Sequence, residues 1–379
     1  MRRLAFGLAT ILLLAGCTPA RPRPEAPPPP PAASGSATPA TGSPSPGAAR
    51  GARTIATGLD VPWDFAVLPD TSVLVTLRDR AELVRVVPGE GVETVAEVSG
   101  VAPGGEGGLL GIALSPRFGT DQLIYLYYTA ADDNRVVRYR YSPDGLSDPE
   151  PVVTGIPKAG NHNGGRLRFG PDGNLYIGTG DAGRSQLSQD RESLGGKILR
   201  VTPEGDIPSG NPFGTAVYSY GHRNVQGLGW DADGTMYASE FGQNAWDELN
   251  VIEAGGNYGW PETEGETRAE GVRAPVAVWR TSEASPSGLA VAPDGDVYLA
   301  ALRGERVWRV PTDAGRAGDP SVFLDGLGRI RAVSSCGCSP TTPPAATPAT
   351  PTTASSSARC ADSGSAGQRS GVAPQIRVR

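Results

Sequence analysis

The sequence predicts an all-β fold, a six-bladed β-propeller in which the sixth blade is disrupted or replaced by the C-terminal tail. Two observations predict it. First, an apolar strand, a turn with an aspartate and a second apolar strand recur along the middle of the chain, and the turn aspartates are spaced by 51, 51, 61 and 61 residues. Second, no long stretch of residues 55–333 has the period of an amphipathic helix. A repeat of this length is typical of a propeller with one roughly four-stranded sheet per repeat. The turn aspartates are Asp70, Asp121, Asp172, Asp233 and Asp294.

Each repeat is interpreted as a β-hairpin, because alternating apolar residues flank a tight turn. In the last three repeats the turn is Asp-Gly, and glycine readily adopts the positive φ that such a turn needs. The unit around Asp121 has a longer turn that begins at Ser115. A sixth unit should begin in residues 326–333, but no further Pro-Asp-Gly turn follows. A changed reading frame, a truncation with an appended tail and a divergent end all remain open as explanations.

The two ends of the chain differ in composition from the repeats. Residues 1–17 begin with two arginines after Met1, continue as a short apolar run and end in Leu-Ala-Gly-Cys, which is typical of a bacterial lipoprotein signal with Cys17 as the lipid acceptor. A plain signal peptide with an incidental cysteine is the alternative. Residues 18–54 are rich in Pro, Ala and Ser and predict a disordered tether. Residues 334–379 predict a low-complexity, disordered tail. The sequence therefore predicts a folded domain at 55–333, exported from a bacterium and anchored by lipid to its cell membrane.

Charge and histidine content narrow the possible chemistry. With 34 basic and 40 acidic residues the net charge is −6, which argues against a nucleic-acid partner, since such a partner requires a strongly basic face. The chain has two histidines, His162 and His222. A zinc site made of histidines alone is thus excluded, and acid–base chemistry by an imidazole has two candidates.

Three polar segments precede predicted strands, where the loops of a propeller converge at one mouth. They cover residues 160–167, 218–228 and 328–331. Together they contain an imidazole, several amides and several guanidinium groups, which suit a planar ligand with carboxylates and a proton transfer beside it. Arg329 and Arg331 alternate, so the pattern predicts that both lie on one face of one strand. Two arginines on one face of an otherwise apolar strand favour a bound anion.

Over about residues 57–333 the sequence resembles the glucose/sorbosone dehydrogenase family, the soluble aldose sugar dehydrogenases that depend on pyrroloquinoline quinone (PQQ). The resemblance depends on an ordered series of motifs rather than on one. The motifs are Val61-Pro62-Trp63, Gly107-Gly108-Leu109-Leu110-Gly111, Asn161-His162-Asn163-Gly164-Gly165-Arg166, Gly180-Asp181, Leu194-Gly195-Gly196-Lys197-Ile198-Leu199-Arg200, Gly221-His222-Arg223-Asn224, Glu240-Phe241-Gly242, Asp247-Glu248-Leu249-Asn250 and Gly256-Asn257-Tyr258-Gly259-Trp260-Pro261.

The resemblance implies oxidation of an aldose at its anomeric carbon to a lactone, with hydride passing to the quinone and electrons leaving to an external acceptor. It implies that His162 is the catalytic base and that Arg223 belongs to the catalytic site. His222 is interpreted as a structural loop residue. The implied cofactor-binding residues are Arg223, Asn224, Arg303, Arg329 and Arg331. The implied substrate-binding residues are Glu106, Asn161 and Gln226.

The same resemblance implies calcium. The backbone carbonyls of Gly242 and Gln243 match a Ca²⁺ site in contact with the quinone, where the cation polarises a quinone carbonyl. Glu248 and Tyr258 match a second, structural Ca²⁺ site, with Tyr258 acting through its backbone. For Glu248 a solvated turn is the alternative.

Two other classes of function stay open at this point. One is a metal-dependent propeller hydrolase that acts on sugar lactones and needs carboxylates and amides around a central metal. The other is a catalytically silent surface lipoprotein that binds glycans or protein partners, which an open ring of blades would favour.

Overall fold

The computed structural model of the protein describes residues 54–335 and 377–378. The predicted export signal, Cys17, the tether up to residue 53 and residues 336–376 of the predicted tail lie outside the described residues. The first strand, β1 (Thr54–Ala56), pairs in parallel with β24 (Arg377–Val378) at the other end of the chain.

Five four-stranded sheets follow one another along the chain, which confirms the predicted all-β propeller. Blade 1 contains β2 (Pro62–Val67), β3 (Val73–Leu77), β4 (Glu82–Val87) and β5 (Gly91–Glu97). Blade 2 contains β6 (Leu109–Leu114), β7 (Leu123–Thr129), β8 (Asn134–Ser142) and β9 (Gly145–Ile156). Blade 3 contains β10 (Leu167–Phe169), β11 (Leu175–Gly178), β12 (Lys197–Val201) and β13 (Val217–Tyr220). Blade 4 contains β14 (Val225–Trp230), β15 (Met236–Glu240), β16 (Trp246–Ile252) and β17 (Ala277–Arg280). Blade 5 contains β18 (Pro286–Val291), β19 (Val297–Ala301), β20 (Arg306–Val310) and β23 (Ser321–Leu324).

Three short elements complete the described secondary structure. A small hairpin of β21 (Thr312–Asp313) and β22 (Arg316–Ala317) interrupts blade 5 before its last strand. The helix α1 (Phe118–Asp121) occupies the longer turn of blade 2, and a 3₁₀-helix spans Ser185–Ser188. Among the described residues no helix has the length and apolar character needed to cross a bilayer.

The predicted hairpin turns repeat with one backbone geometry. In blade 3 the Gly173 amide donates to the Gly170 carbonyl at 2.9 Å, and the Gly170 amide donates to the Asn174 carbonyl at 2.9 Å. Blades 1, 4 and 5 repeat both bonds at the equivalent positions. The third turn residue has a positive φ in each case, 76° at Gly173, 86° at Gly234 and 92° at Gly295. Blade 1 has a threonine there, Thr71, at 69°. The Asp-Gly turns therefore form for the reason that the sequence indicates.

Buried apolar clusters fill the spaces between successive blades. Strand β7 shows why the strands are apolar on both faces: Tyr125 and Tyr127 pack towards blade 3, whereas Ile124 and Leu126 pack towards blade 1. Two further clusters join blade 3 to blade 4 and blade 4 to blade 5. A fifth lies on blade 1, where Ala56 of β1 covers the sheet. Burial of each large aliphatic side chain contributes roughly 1.5–3 kcal/mol.

The segment after blade 5 lies against that blade without forming an assigned strand. The Gly288 amide of β18 donates to the Arg331 carbonyl at 2.9 Å, and the Ile330 amide donates to the Ala301 carbonyl at 3.2 Å. Residues 325–335 have no assigned strand, so the structure does not place Arg329 and Arg331 on one strand face as predicted. Arg329 is exposed, whereas Arg331 points towards Trp63 of blade 1. The disrupted sixth blade stays a prediction.

Candidate active site

The predicted site residues gather at one end of the propeller, because the antiparallel strands of each blade bring two kinds of loop together there. One kind precedes the first strand of a blade and the other follows its second strand. In blade 4, for example, Val225 at the start of β14 is paired with Glu240 at the end of β15. The opposite end carries the Asp-Gly turns. Polar segments that are far apart in sequence thus reach one mouth.

His162 lies in the loop before β10 with its ring oriented by a buried carboxylate. Its Nδ1 is 2.7 Å from Asp181 Oδ1, and the backbone of His162 has φ 54°. Asp181 also accepts hydrogen bonds from Trp260 Nε1 at 2.9 Å and from the Gly183 amide at 2.8 Å. Burial would raise the pKa of Asp181, but the bonds from His162 and Trp260 outweigh it and lower that pKa. The ionised carboxylate holds the proton on Nδ1, which leaves Nε2 as the basic position of the ring.

Two predicted substrate-binding residues flank this histidine. Glu106 is exposed and its Oε2 accepts a hydrogen bond from the His162 amide at 2.9 Å. The Glu106 amide in turn donates to the Gly160 carbonyl at 2.8 Å, which ties the loop before β6 to the loop before β10. Asn161 is exposed beside His162. Both side chains are therefore accessible next to the imidazole, as a substrate contact requires.

Arg223 and Asn224 lie in the loop before β14, and each has one buried N–H group that finds no acceptor among residues 54–335. Arg223 Nη1 donates to the carbonyl of Gly242 at 2.7 Å, and its amide donates to Glu240. Asn224 Oδ1 accepts from the Gly164 amide at 2.9 Å. Within residues 54–335, however, Arg223 Nε and Asn224 Nδ2 are buried and have no hydrogen-bond partner. Leaving a buried donor unpaired costs about 1–3 kcal/mol, so both atoms fit a ligand that brings acceptors.

Arg331 extends the cationic character of the mouth inwards, to the centre of the ring of blades, where a propeller has its central channel. Its Nη1 donates to Gln226 Oε1 at 3.0 Å, and its guanidinium lies 5.8 Å from the centre of the Trp63 ring. Burial, together with the positive charges of neighbouring guanidinium groups, lowers the pKa of Arg331 to about 9. Those groups belong to Arg78, Arg166 and Arg329. A bound anion would relieve this repulsion, so the channel fits a ligand with carboxylates.

Gln226, predicted to bind substrate, bonds other side chains of the protein. Its side chain is buried, and Oε1 accepts from both Arg331 Nη1 and Ser287 Oγ, each at 3.0 Å. Its backbone carbonyl accepts from Arg166 Nε at 2.7 Å. The structure therefore places Gln226 where it orients Arg331. Arg303 is exposed on the turn after β19, at the same end of the propeller as His162.

The loop after β15 supplies the carbonyls predicted to bind the first calcium ion. The Gly242 carbonyl faces Arg223, and the Gly242 amide donates to Asp247 Oδ1 at 3.0 Å. Gln243 is exposed on the same loop. Carbonyl oxygens are suitable ligands for a hard cation such as Ca²⁺. A cation bound to the Gly242 carbonyl would have to share that oxygen with Arg223 Nη1 or displace it.

Glu248 and Tyr258, predicted for a second calcium site, are both buried. Glu248 lies in β16, so a solvated turn is not its environment, and its Oε1 accepts from the Gly265 amide at 2.6 Å. Burial and the charge of Glu240 raise the pKa of Glu248 to about 8. A cation beside these two carboxylates would reduce their repulsion. Across residues 54–335 no group of three or more His, Cys, Asp or Glu side chains is arranged to hold a metal ion.

His222 is a structural residue, as predicted. It is fully buried, its Nε2 is 2.8 Å from Ser219 Oγ and its Nδ1 is 2.8 Å from Glu240 Oε2. Its ring stacks on Tyr258 with 4.6 Å between centroids. Because neighbouring side chains engage both ring nitrogens, this imidazole supports the loop that carries Arg223.

Two residues that the site uses have no role predicted from the sequence. Asp181 stands in the Gly180-Asp181 motif, and Trp260 stands in a later motif. A Gly-Asp pair directly after an apolar strand was the available signal for Asp181, because the second strand of a blade ends at the mouth. Nothing local in the sequence indicated that Trp260, 79 residues later, donates to that carboxylate.

Fold and site together define a β-propeller with a histidine–aspartate pair at the same end as several arginines, of which Arg223 and Arg331 are partly buried. The sequence model of the family described as Glucose / Sorbosone dehydrogenase matches residues 59–337, about three quarters of the chain. The chain therefore belongs to the glucose/sorbosone dehydrogenase family, and the resemblance stated from the motifs is confirmed.

Solved and curated relatives agree with this assignment. The PQQ-bound aldose sugar dehydrogenase of Streptomyces coelicolor has a TM-score of 0.73 and 55% identity over 75% of this chain and 88% of its own. The aldose sugar dehydrogenase YliI of Escherichia coli is 34% identical over 68% of this chain and 83% of its own. Quinoprotein glucose dehydrogenase B of Acinetobacter calcoaceticus is 34% identical over 56% of this chain. The chain spans 52% of that protein and 57% of a further curated relative from Synechocystis.

Proposed function

We propose that this protein oxidises aldoses at the anomeric carbon to lactones with PQQ and Ca²⁺ as cofactors, and that an external acceptor takes up the electrons. One observation carries the proposal: a histidine with an ionised aspartate on Nδ1 lies at the same mouth as buried guanidinium groups. The first supports proton abstraction and the second supports a polycarboxylate ligand.

In the proposed reaction His162 Nε2 takes the proton of the anomeric hydroxyl while C1 loses its hydride and forms a carbonyl. Asp181 stabilises the imidazolium that results and keeps the ring in place. Arg223, Asn224 and Arg331 would hold the cofactor's carboxylates and carbonyls. When bound, PQQ supplies the two-electron acceptor for the hydride, and Ca²⁺ on the Gly242 and Gln243 carbonyls supplies Lewis-acid polarisation.

The charges of the channel favour this proposal over a propeller lactonase. Such a hydrolase gathers oxygen ligands around a central cation, whereas here Arg166 and Arg331 lie at the channel and both contact Gln226. A silent glycan-binding lipoprotein has no need of an oriented base beside unpaired buried donors.

Reconstitution with both cofactors should produce dye-linked sugar oxidation. Purified protein is mixed with PQQ and CaCl₂, and reduction of an artificial dye is followed with several aldoses, because the site does not indicate one sugar. We expect activity that requires both cofactors and a change in the PQQ absorption spectrum on binding. Samples without sugar or without calcium are the controls. A folded sample that shows neither a spectral change nor dye reduction would refute the proposal.

We further propose that the protein is exported and anchored to the membrane through lipid on Cys17, on the basis of the signal-like first 17 residues. Cys17→Ser should abolish incorporation of labelled fatty acid and shift the protein out of the membrane fraction. Cys336→Ser, in the predicted tail, is the matched control and should leave both unchanged. Equal labelling of the Cys17→Ser protein and the unsubstituted protein would contradict the anchor.

A further inference from the structure

The loop between β15 and β16 is wrapped around a single carboxylate oxygen. Glu264 Oε1 accepts hydrogen bonds from four consecutive backbone amides. The donors are Gln243 at 2.7 Å, Asn244 at 3.1 Å, Ala245 at 3.0 Å and Trp246 at 3.1 Å. Burial alone would raise the pKa of Glu264, but these amide bonds outweigh it and lower that pKa. The loop is therefore a backbone anion nest whose anion belongs to the protein.

This arrangement dictates the direction of two carbonyls. In a trans peptide unit the C=O and the N–H point in opposite directions. The Gln243 amide shares its peptide unit with the Gly242 carbonyl, and the Asn244 amide shares its unit with the Gln243 carbonyl. Because both amides point at Glu264, both carbonyls point away from it. For Gly242 this is the side of Arg223, whose Nη1 donates to that carbonyl at 2.7 Å.

The packing around Gly242 shows how closely the loop is held. A Cβ on Gly242 would lie 1.8 Å from the Trp246 carbonyl oxygen and 2.6 Å from Glu264 Oε1. The Gly242 amide is fixed separately by Asp247 Oδ1 at 3.0 Å. Two carboxylates, Asp247 and Glu264, thus anchor the loop, although its exposed residues could otherwise be hydrated in many conformations.

We propose that Glu264 is a positioning residue that presents the Gly242 and Gln243 carbonyls together as ligands for a hard cation. This inference depends on the proposed function in one respect, the assignment of calcium to those carbonyls. Glu264 itself touches neither the cation nor the substrate. It acts through the peptide units of the loop, in the way that an outer partner orients a metal ligand.

Glu264→Ala tests the proposal, with Glu264→Gln as the conservative variant and Glu262→Ala as the matched control. Glu262 lies in the same segment but is exposed. In Glu264→Ala we expect faster hydrogen exchange of amides 243–246 in the cofactor-free protein. We also expect the calcium concentration for half-maximal PQQ binding to rise by about 10–100-fold, the usual effect of losing such a partner. Glu264→Gln retains an amide oxygen as acceptor and should lie between Glu264→Ala and the unsubstituted protein, while Glu262→Ala should match the unsubstituted protein.

Two results would overturn the inference: unchanged exchange of amides 243–246, or faster exchange with an unchanged calcium requirement. Failure of the proposed function gives a different result, because the unsubstituted protein would then bind no PQQ at any calcium concentration. In that case titration with Ca²⁺ alone, followed by calorimetry, decides the matter. Weaker Ca²⁺ binding in Glu264→Ala than in Glu262→Ala supports the positioning role, and equal binding contradicts it.

Discussion

His162→Ala should lower kcat for aldose oxidation by roughly 10²–10⁴-fold, the usual contribution of a positioned general base. Of the two imidazoles, only that of His162 has an accessible basic nitrogen at the mouth. Asp181 holds its Nδ1 and leaves Nε2 for the substrate, whereas neighbouring side chains engage both ring nitrogens of His222. The affinity for PQQ should change little, since the guanidinium groups assigned to the cofactor do not depend on this ring. Stopped-flow dye reduction gives kcat, and titration of the absorption spectrum gives the affinity for PQQ.

Asp181→Asn separates the orienting role from a merely structural one. An asparagine that donates to Nδ1 would place the ring proton on Nε2 and remove the base, but its NH₂ would then face the Gly183 amide, which donates to the same oxygen of Asp181. We therefore expect kcat to fall and PQQ affinity to stay near that of the unsubstituted protein, while the free energy of unfolding falls by about 1–3 kcal/mol, the cost of one unpaired buried donor. Asn161→Ala, on the exposed neighbour of His162, should change KM more than kcat. If His162→Ala retained more than about a tenth of kcat, another group would have to be the base. Loss of PQQ binding in this variant would instead indicate a structural role for His162.

The fold was predictable because its signals are local. Each Asp-Gly turn needs a left-handed residue at one position, and each strand shows its burial in its own side chains, so a short window of sequence contains the information. The placement of His162, Arg223 and Asn224 at one mouth follows from the repeat, because every one of them precedes a first strand. These predictions required no knowledge of which blades touch.

The unpredicted features all depend on contacts between segments far apart in the chain. Asp181 meets Trp260, and Glu264 meets residues 243–246, only after the blades and their loops have packed. The side chain of Gln226, predicted to bind substrate, accepts a hydrogen bond from Arg331, which lies 105 residues later in the chain. Arg329 and Arg331 separate because the segment after blade 5 makes too few regular backbone bonds to form a strand. No local pattern distinguishes these outcomes.

Asp64→Asn should destabilise the protein by about 3–5 kcal/mol, the cost expected when one partner of a buried ion pair is removed. Asp64 is fully buried on β2 and pairs with Arg166, which is also fully buried. It further accepts from Arg168 Nη1 at 3.1 Å and from the Ile112 amide at 3.3 Å. One carboxylate thus connects blade 1 to blades 2 and 3, and without its charge Arg166 would remain in the channel with its guanidinium uncompensated.

The pH dependence of stability should change with the same substitution. Burial would raise the pKa of Asp64, but the charges of Arg166 and Arg168 outweigh it and lower that pKa. A carboxyl whose pKa is lower in the folded state stabilises the fold above its unfolded pKa, and that contribution disappears as pH falls through the folded value. The unsubstituted protein should therefore lose stability on acidification more steeply than Asp64→Asn does.

Urea unfolding at several pH values measures both effects, with Asp60→Asn as the control because Asp60 is exposed four residues earlier. The double variant Asp64→Leu with Arg166→Met should recover part of the lost stability, since apolar replacement of a buried pair removes both desolvation costs.

The ion pair of Asp64 and Arg166 also connects the core to the candidate site. Arg166 Nε donates to the Gln226 carbonyl, and the Gln226 side chain accepts from Arg331. Equal stability of Asp64→Asn and Asp60→Asn would contradict this prediction. Arg166 would then have to reach another anion or water, although its side chain is fully buried in the structure.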